Sequence, residues 1–375
     1  MRSLEDELRE AYRAVTGTVR EQDLPGLYEQ RARRRRRSRF SAFAPLAAAA
    51  AVMVAVGFGL VMPELLSAPG RPAAPTAIPA TPRTTPPFMI IVNTPNARRP
   101  LVVVSAATGR TTATVAVPRK GTVWFDVAPT ASGTRFIVAA TPLRGGLCNP
   151  TYLYMLTLSA SGVPASLRPW TVPVVHAEID SLSASADGGT LAFVQTACRG
   201  PDQQIGIIRG GRMKTWREPY PLFADDLSLS AGGSKLGYAE SAVAGRGARV
   251  RVLDTGSAPG SATAASTIVY TYPAAGRAPS AAIGPDFTTM YVSWLTGYVS
   301  WLTGRDTFHL AGYRIGADGV QGTLFSRTMP GEMVSLAGGQ VLVWDPGVSL
   351  YLVDPVTGKA TRIRTAWTNA WGIFW

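Results

Sequence analysis

The chain has 375 residues, enough for two or three ordinary domains or for one large repeat domain. Charged residues make up only 16% and the mean hydropathy is slightly positive, which excludes a chain that is disordered over most of its length. The net charge of +13 suggests a nucleic-acid-binding protein, but many of the arginines are concentrated in one run near the N-terminus.

Residues 1–39 are predicted to form a short amphipathic helix followed by an arginine-rich segment. Ser3 can cap the helix, and one of its faces carries Leu4, Leu8, Ala11, Val15 and Val19. A lone helix of this length is marginal in water unless it packs on something. We therefore interpret this head either as a docking element for a cytoplasmic partner or as a membrane-targeting tail with no partner.

The basic run and the apolar stretch after it predict a membrane anchor. The centre of the run is Arg33, Arg34, Arg35, Arg36 and Arg37. Residues 40–62 contain no charge and, at about 1.5 Å per residue, can cross a hydrocarbon core of about 30 Å. Arginines beside a span stay in the cytoplasm, so we expect a single-pass plasma-membrane protein with its N-terminus inside. This topogenic role is favoured over a nucleic-acid patch, and no nucleic-acid partner is expected.

A cleaved signal peptide is the alternative interpretation of the same region. The segment before the apolar stretch is much longer than a usual n-region, and the stretch is longer than a usual h-region. The best small-residue exit, Leu66-Ser67-Ala68, is followed by Pro69, which disfavours cleavage. Residues 63–87 are rich in Pro, Ala and Thr and are predicted to form a semi-rigid linker.

Residues 88–375 are predicted to form an all-β propeller, because one motif recurs five times. An apolar strand, a small-residue turn and a second apolar strand follow one another at steps of about 45–55 residues, the period of a propeller blade. The copies read FDVAPTASGTRFIVAA from Phe125, IDSLSASADGGTLAFVQ from Ile179, DLSLSAGGSKLGYAE from Asp226, SAAIGPDFTTMYVSW from Ser280 and EMVSLAGGQVLVW from Glu332.

The two ends of this domain together predict a sixth blade. Residues 88–117 contain three strands and lack an inner one, and TNAWGIFW from Thr368 provides one inner strand with nothing after it. Closure by strands from both ends leaves no open sheet edge on the ring. We therefore predict six four-stranded blades, with five or seven as alternatives.

The repeats resemble degenerate TolB-like and WD-repeat-like propeller motifs. The consensus is close to D-x-x-x-S-P-D-G-x-x-I-A-F; SASADGGTLAF is the nearest match, and AIGPDFTTMYV keeps the Pro-Asp pair. This resemblance implies a fold over residues 88–375 and no particular activity.

The layout of head, arginine run, span and external domain also resembles actinobacterial membrane proteins related to anti-sigma factors. However, residues 1–39 contain no His or Cys for the zinc motif of those proteins.

Two cysteines, Cys148 and Cys198, are the only ones in the chain, and each follows the second strand of its repeat. Equivalent loops of adjacent blades emerge on the same face, so these two residues are predicted to form a disulfide across neighbouring blades. Two unpaired surface thiols are the alternative.

The best candidate site is a ring of polar side chains near the start of the inner strands. It consists of Asp126, Asp180, Asp226, Ser280, Glu332 and Asn369. Such a ring at a channel mouth could bind a cation, an amine or a basic peptide. The alternative is structural, since the same side chains can hydrogen-bond to nearby backbone.

A second candidate surface is aromatic. YVSWLTG at 291–297 is repeated without change at 298–304, and the duplicated segment is interpreted as a lengthened loop or as a binding loop carrying Trp294, Tyr298 and Trp301. The two histidines, His176 and His309, lie far apart and have no metal-ligand spacing around them. No nucleophile elbow, phosphate-binding loop or metal motif is present, so no cofactor is expected.

The sequence thus predicts a membrane-anchored propeller that acts outside the cytoplasm as a non-catalytic binding or sensing module. Its expected ligand is an envelope protein, a glycan or a small molecule. A transmembrane regulator whose head binds a cytoplasmic partner is one alternative. An envelope propeller enzyme, a lyase or hydrolase, is the other.

Overall fold

A computed structural model describes most of the chain from residue 86 onward. The described ranges are 86–93, 100–143, 149–170, 175, 177, 179–196, 202–218, 222–242, 247–272, 277–296, 307–315, 320–328, 332–337, 340–345, 349–355, 357–363 and 370–374. The predicted head, span and linker up to residue 85 lie outside them. No helix within these ranges is long and apolar enough to cross a membrane.

The described strands form six sheets, which are the six blades of a propeller, and the four main strands of each sheet are antiparallel. Blade 1 contains β1 (Phe88–Asn93), β2 (Leu101–Ser105), β3 (Thr111–Val115) and β25 (Ala370–Phe374). Blade 2 contains β4 (Thr122–Pro129), β5 (Arg135–Pro142), β6 (Tyr152–Leu158) and β7 (Pro164–Pro169). Blade 3 contains β8 (Ile179–Ala184), β9 (Thr190–Thr196), β10 (Gln203–Arg209) and β11 (Arg212–Glu218).

The remaining three blades follow the same plan. Blade 4 contains β12 (Leu222–Leu229), β13 (Lys235–Ala242), β14 (Arg249–Asp254) and β16 (Ser266–Thr271). Blade 5 contains β17 (Arg277–Ile283), β18 (Thr289–Thr296), β19 (Thr307–Arg314) and β20 (Val320–Thr328). Blade 6 contains β21 (Glu332–Ala337), β22 (Gln340–Asp345), β23 (Ser349–Val353) and β24 (Ala360–Ile363).

The ring is closed by strands from the two ends of the domain. β25 pairs antiparallel with β1, with Ile91 opposite Ile373 and Ile90 opposite Phe374. The predicted six-bladed propeller and its mode of closure are therefore confirmed. This pairing protects the backbone edge of β1, which would otherwise face solvent as an unpaired edge.

The core lies between neighbouring blades, because both faces of each sheet are apolar. Between blades 1 and 2, Ile90 and Phe136 are fully buried beside Trp124. The Trp124 indole donates to the carbonyl of Val115 at 2.9 Å and lies edge-on to the ring of Tyr154. A side chain from blade 2 thereby holds the last strand of blade 1 by a hydrogen bond as well as by packing.

Blade 4 also contributes a segment to blade 3. Between β14 and β16 the chain forms β15 (Gly260–Ser261) and the one-turn helix α1 (Ala262–Ala265). We call residues 255–265 the clasp. β15 pairs parallel with β11, and the indole of Trp216 donates to the carbonyl of Ala258 at 2.9 Å. The clasp thus covers part of the outer edge of blade 3.

Candidate functional site

A β-bulge interrupts the first strand of every blade. The register shifts fall between Trp124 and Asp126, Ile179 and Ser181, Asp225 and Ser228, Arg277 and Ser280, Met333 and Ser335, and Ala370 and Gly372. A bulge leaves a residue without a cross-strand partner and bends the strand locally. The candidate polar ring lies at this level of the inner strands, so the bulges decide where its members point.

The predicted ring residues do not all share one register. Asp126, Asp226 and Ser280 each lie four residues before the residue that starts the next turn, whereas Asp180 lies five residues before it. In blade 3 the matching position is Ser181. Asp180 is the bulged residue there, because the register passes from Ile179 opposite Gln195 directly to Ser181 opposite Val194. The sequence pattern alone assigns this aspartate to the ring, because a bulge leaves no mark in the apolar alternation.

The ring members that the structure describes are buried or hydrogen-bonded within the fold. Asp126 and Ser280 are each only 2% exposed, which closes them to a ligand in solution. The Asp126 carboxylate accepts a hydrogen bond from the backbone N–H of Val127 at 2.8 Å. The half-buried Asp180 accepts from the hydroxyl of Thr196 at 2.8 Å. These contacts favour the structural interpretation of the ring.

Asp226 shows most directly what this position does. Its carboxylate accepts from the backbone N–H of Ala281 on the first strand of the next blade at 3.3 Å, and its own backbone has a φ of +53°. A left-handed conformation costs a non-glycine residue about 1–2 kcal/mol, and aspartate is among the residues that tolerate it best. Of the other predicted members, Glu332 lies on β21 with no described side chain, and Asn369 lies outside the described residues.

Serines two positions before the turn also join neighbouring blades. Ser183 accepts from the backbone N–H of Leu229 at 2.9 Å, and Ser228 accepts from that of Ile283 at 3.0 Å. The first strands of adjacent blades belong to separate sheets, so their facing N–H groups need such partners. Small polar side chains in the inner strands therefore serve as bridges between blades.

The turns between first and second strands continue this bridging through backbone alone. The N–H of Ala131 donates to the carbonyl of Ala186, that of Ala186 to Ala231, and that of Ala231 to Pro285, at 3.0–3.1 Å. Proline has no N–H to donate, so this series ends in blade 5. The turns of four successive blades are thus connected at one end of the propeller.

Replacing Ser228 with alanine is expected to lower the free energy of unfolding by about 1–3 kcal/mol, because it leaves the N–H of Ile283 without this acceptor. The matched control is Ser257→Ala, since the Ser257 hydroxyl donates to a carbonyl in an exposed turn of its own blade. Urea denaturation followed by circular dichroism measures both changes. Equal, small effects of the two substitutions would contradict the bridging role.

The motif nearest to the family consensus forms the expected tight turn. The Ser185 hydroxyl donates to the Asp187 carboxylate at 2.6 Å, and the same carboxylate accepts from the N–H of Gly189 at 2.8 Å. These bonds, that from Ser185 first, lower the pKa of Asp187. Gly188 has a φ of +73°, and Phe287 adopts +58° at the matching position of blade 5. The motif therefore encodes turn geometry.

The other sequence-derived candidates have mixed outcomes. Cys148, Cys198, His176, Tyr298 and Trp301 all lie outside the described residues, so the disulfide and the aromatic loop stay predictions. Trp294 is part of β18 and not of a loop, because its ladder with β19 continues to Thr296.

The Trp294 indole stacks on the imidazole of His309 across the β18–β19 ladder, with ring centroids 5.4 Å apart. Burial lowers the pKa of His309. This histidine is a strand residue, as expected from the sequence. Among the residues that the structure describes, no three His, Cys, Asp or Glu side chains are grouped to hold a metal ion.

A buried ionisable cluster between blades 3 and 4 was missed by sequence reasoning. Four side chains from three strands converge there, each no more than 5% exposed: Glu218, Tyr238, Glu240 and Arg251. The Arg251 Nε lies 2.5 Å from Glu240 Oε2 as an ion pair, although the angle is not that of a hydrogen bond. Charged residues are almost never fully buried unless paired, so the strand pattern alone predicts them at the surface.

Hydroxyl groups complete this cluster around Glu218. Thr263 of the clasp donates to Glu218 Oε1 at 2.5 Å, and the Tyr238 hydroxyl lies 3.5 Å from Glu218 Oε2. The same tyrosine hydroxyl lies 3.0 Å from the hydroxyl of Ser266. Burial raises the pKa of Glu218 and also that of Tyr238, because both would have to carry a negative charge away from water.

Comparisons with known proteins support a similarity of fold and nothing more specific. No family model and no curated protein matches the chain. Among solved structures it is similar to a putative TolB from Agrobacterium tumefaciens, at 12% identity and a TM-score of 0.45, covering 73% of this chain and 87% of that one. It is also similar to the tricorn protease, at 11% identity and a TM-score of 0.47, covering 72% of this chain and 28% of that one.

A prolyl endopeptidase is similar at 13% identity and a TM-score of 0.41, with 64% of this chain and 36% of that chain covered. The chain therefore spans well under two thirds of the length of these two protease chains. The matched proteins include both peptidases and a TolB protein. A shared propeller fold does not decide between enzyme and binding protein.

Proposed function

We propose that this protein is a membrane-anchored binding or sensing module whose propeller lies outside the cytoplasm and has no catalytic role. The observation that carries the proposal is the closure of the ring by β1 and β25. A ring closed in this way is a scaffold in which the connections between strands are free to vary while the blades stay paired. The anchor rests on the arginine run and the uncharged stretch at 40–62.

The position of Pro86 and Pro87 supports our choice between the two ends of the propeller as the ligand-binding end. The carbonyl of Pro87 accepts from the N–H of Ala106 at 3.0 Å, and Pro86 and Pro87 border the turn at Gly133. Pro86 and Pro87, the last two residues of the predicted linker, therefore lie at the end that carries the turns between first and second strands. We propose that an envelope protein, glycan or small molecule binds at the opposite end, where second strands connect to third strands.

Accessibility labelling of Cys148 and Cys198 in intact cells tests this proposal. We expect a membrane-impermeant maleimide to label the two cysteines from outside, and only after reduction. A Cys148→Ser variant, which leaves Cys198 unpaired, is the control and should label without reductant. Labelling only after lysis would place the propeller in the cytoplasm and overturn the proposed topology. Labelling from outside without reductant would contradict the predicted disulfide and would agree with the proposed topology.

The amphipathic stripe of the head favours a second candidate function, a transmembrane regulator that binds a cytoplasmic partner. A pull-down with residues 1–39 tests it against a peptide in which Leu4 and Leu8 are replaced by serine. Specific recovery of one protein by the native peptide alone would support a regulator. Equal recovery by both peptides would contradict it.

A further inference from the structure

Glu218 lies where the clasp meets blade 3, and within the described part of the chain it forms no ion pair. Arg251 pairs with Glu240 at 2.5 Å, whereas both Glu218 oxygens face hydroxyl groups, from Thr263 and Tyr238. The side chains that face Glu218 come from β13, β14 and α1, and they include one further carboxylate and one guanidinium. With both glutamates ionised, the buried cluster would carry a net negative charge.

Glu218 is a second buried carboxyl group beside the Glu240–Arg251 pair, and burial away from a paired cation favours its protonated form. Glu218 is fully buried, and Thr263 belongs to the segment that covers it. Opening of the clasp would remove Thr263 and admit water to the carboxyl group. The closed state therefore prefers the protonated carboxyl, and the open state allows it to ionise.

We propose that the clasp is a pH-responsive latch that stays closed over β11 while Glu218 is protonated and opens more readily when Glu218 ionises. This function goes beyond ligand binding, because it controls access to the outer edge of blade 3. When the clasp opens, the backbone of Trp216 and Arg217 loses its partners on Gly260 and Ser261. An unpaired strand edge is a surface on which another strand can pair.

The direction of the pH dependence follows from the pKa of Glu218. Burial raises this pKa in the closed state, whereas the open state has an ordinary glutamate pKa of about 4.3. The closed state therefore binds the proton more tightly. The stabilisation that protonated Glu218 gives to the closed state is fully present below the open-state pKa. This stabilisation is lost as the pH rises through the closed-state pKa.

Hydrogen exchange of the clasp, residues 255–265, tests the latch in the intact propeller. We expect protection, corrected for the intrinsic exchange rate at each pH, to fall about tenfold per pH unit between the two pKa values of Glu218. Glu218→Gln keeps the hydrogen-bonding groups and removes the charge, so its corrected protection should not change with pH. Asp202→Asn removes the half-buried carboxylate that pairs with the exposed Arg217, outside the cluster around Glu218, and should keep the wild-type profile.

Wild-type protection that does not vary with pH, or an equal variation in Glu218→Gln, would overturn the proposal. If Glu218→Gln does not fold, Thr263→Val provides the second test. Loss of the Thr263 donor raises the pKa of Glu218 further, because that hydrogen bond favours the ionised form. The pH at which protection is lost should then move upward, and an unchanged midpoint would also overturn the latch.

Discussion

Replacing Arg251 with methionine is expected to lower the free energy of unfolding by about 3–5 kcal/mol. Arg251 is 5% exposed and its partner Glu240 is 2% exposed, so the change leaves a carboxylate buried without its cation. The guanidinium also donates to the carbonyl of Thr263 at 3.2 Å, and this contact with the clasp is lost as well. Urea denaturation at pH 7 measures the change.

Two variants show whether the cost comes from burial of an unpaired charge. Arg217→Met removes the same side chain from an exposed ion pair with Asp202 and should cost less than about 1 kcal/mol. The double variant Arg251→Met with Glu240→Met replaces both ions by apolar groups and should recover most of the lost stability. An Arg251→Met protein within 1 kcal/mol of the native stability would contradict the buried pair.

Ile373→Ala should destabilise the propeller by about 2–5 kcal/mol, because Ile373 packs in the core of the closing blade. It is 1% exposed on β25 and contacts the buried cluster formed with Met89, Ile91 and Leu350. The substitution removes packing around the β1–β25 pair, which joins the two ends of the domain. Thermal and urea unfolding should show the shift as one cooperative transition.

Ile268→Ala provides the matched control, since Ile268 lies on the last strand of blade 4 and is 47% exposed. The same deletion of atoms there should change the stability by no more than about 0.5 kcal/mol. Similar effects of the two substitutions would contradict closure through β25. A second unfolding transition in Ile373→Ala alone would instead indicate that blade 1 separates from the ring before the other blades unfold.

Several strands could be predicted closely from alternation and turn residues. β6 at Tyr152–Leu158 and β11 at Arg212–Glu218 are two strands whose bounds follow from the sequence in this way. Both are bounded by turn residues and contain the period-two pattern of a half-buried strand. The closing blade was also predictable, since three strands at one end and one strand at the other sum to the four of the remaining blades.

The bulges and the clasp could not be predicted in this way. A bulge adds one residue to a strand without disturbing its composition. The sequence pattern therefore aligns Asp180 with Asp126, although Ser181 is the residue of blade 3 that occupies the matching position. β15 contains only two residues, too few for any periodicity, and its pairing with β11 crosses from one blade to another. The burial of Asp126, which favours the structural interpretation of the candidate ring, likewise depends on its neighbouring blades.

By itself the sequence predicted the all-β class, six blades with five or seven as alternatives, and the way the ring closes, because these follow from a repeat period and from strands that cannot bury both faces alone. The structure settled the count at six. Only the tertiary structure decided which polar groups bridge blades and which ionisable groups are buried. Glu218, Glu240 and Arg251 occupy strand positions that look solvent-exposed in sequence. Their burial results from the packing of blade 3 against blade 4 and the clasp, a contact between segments distant in the chain.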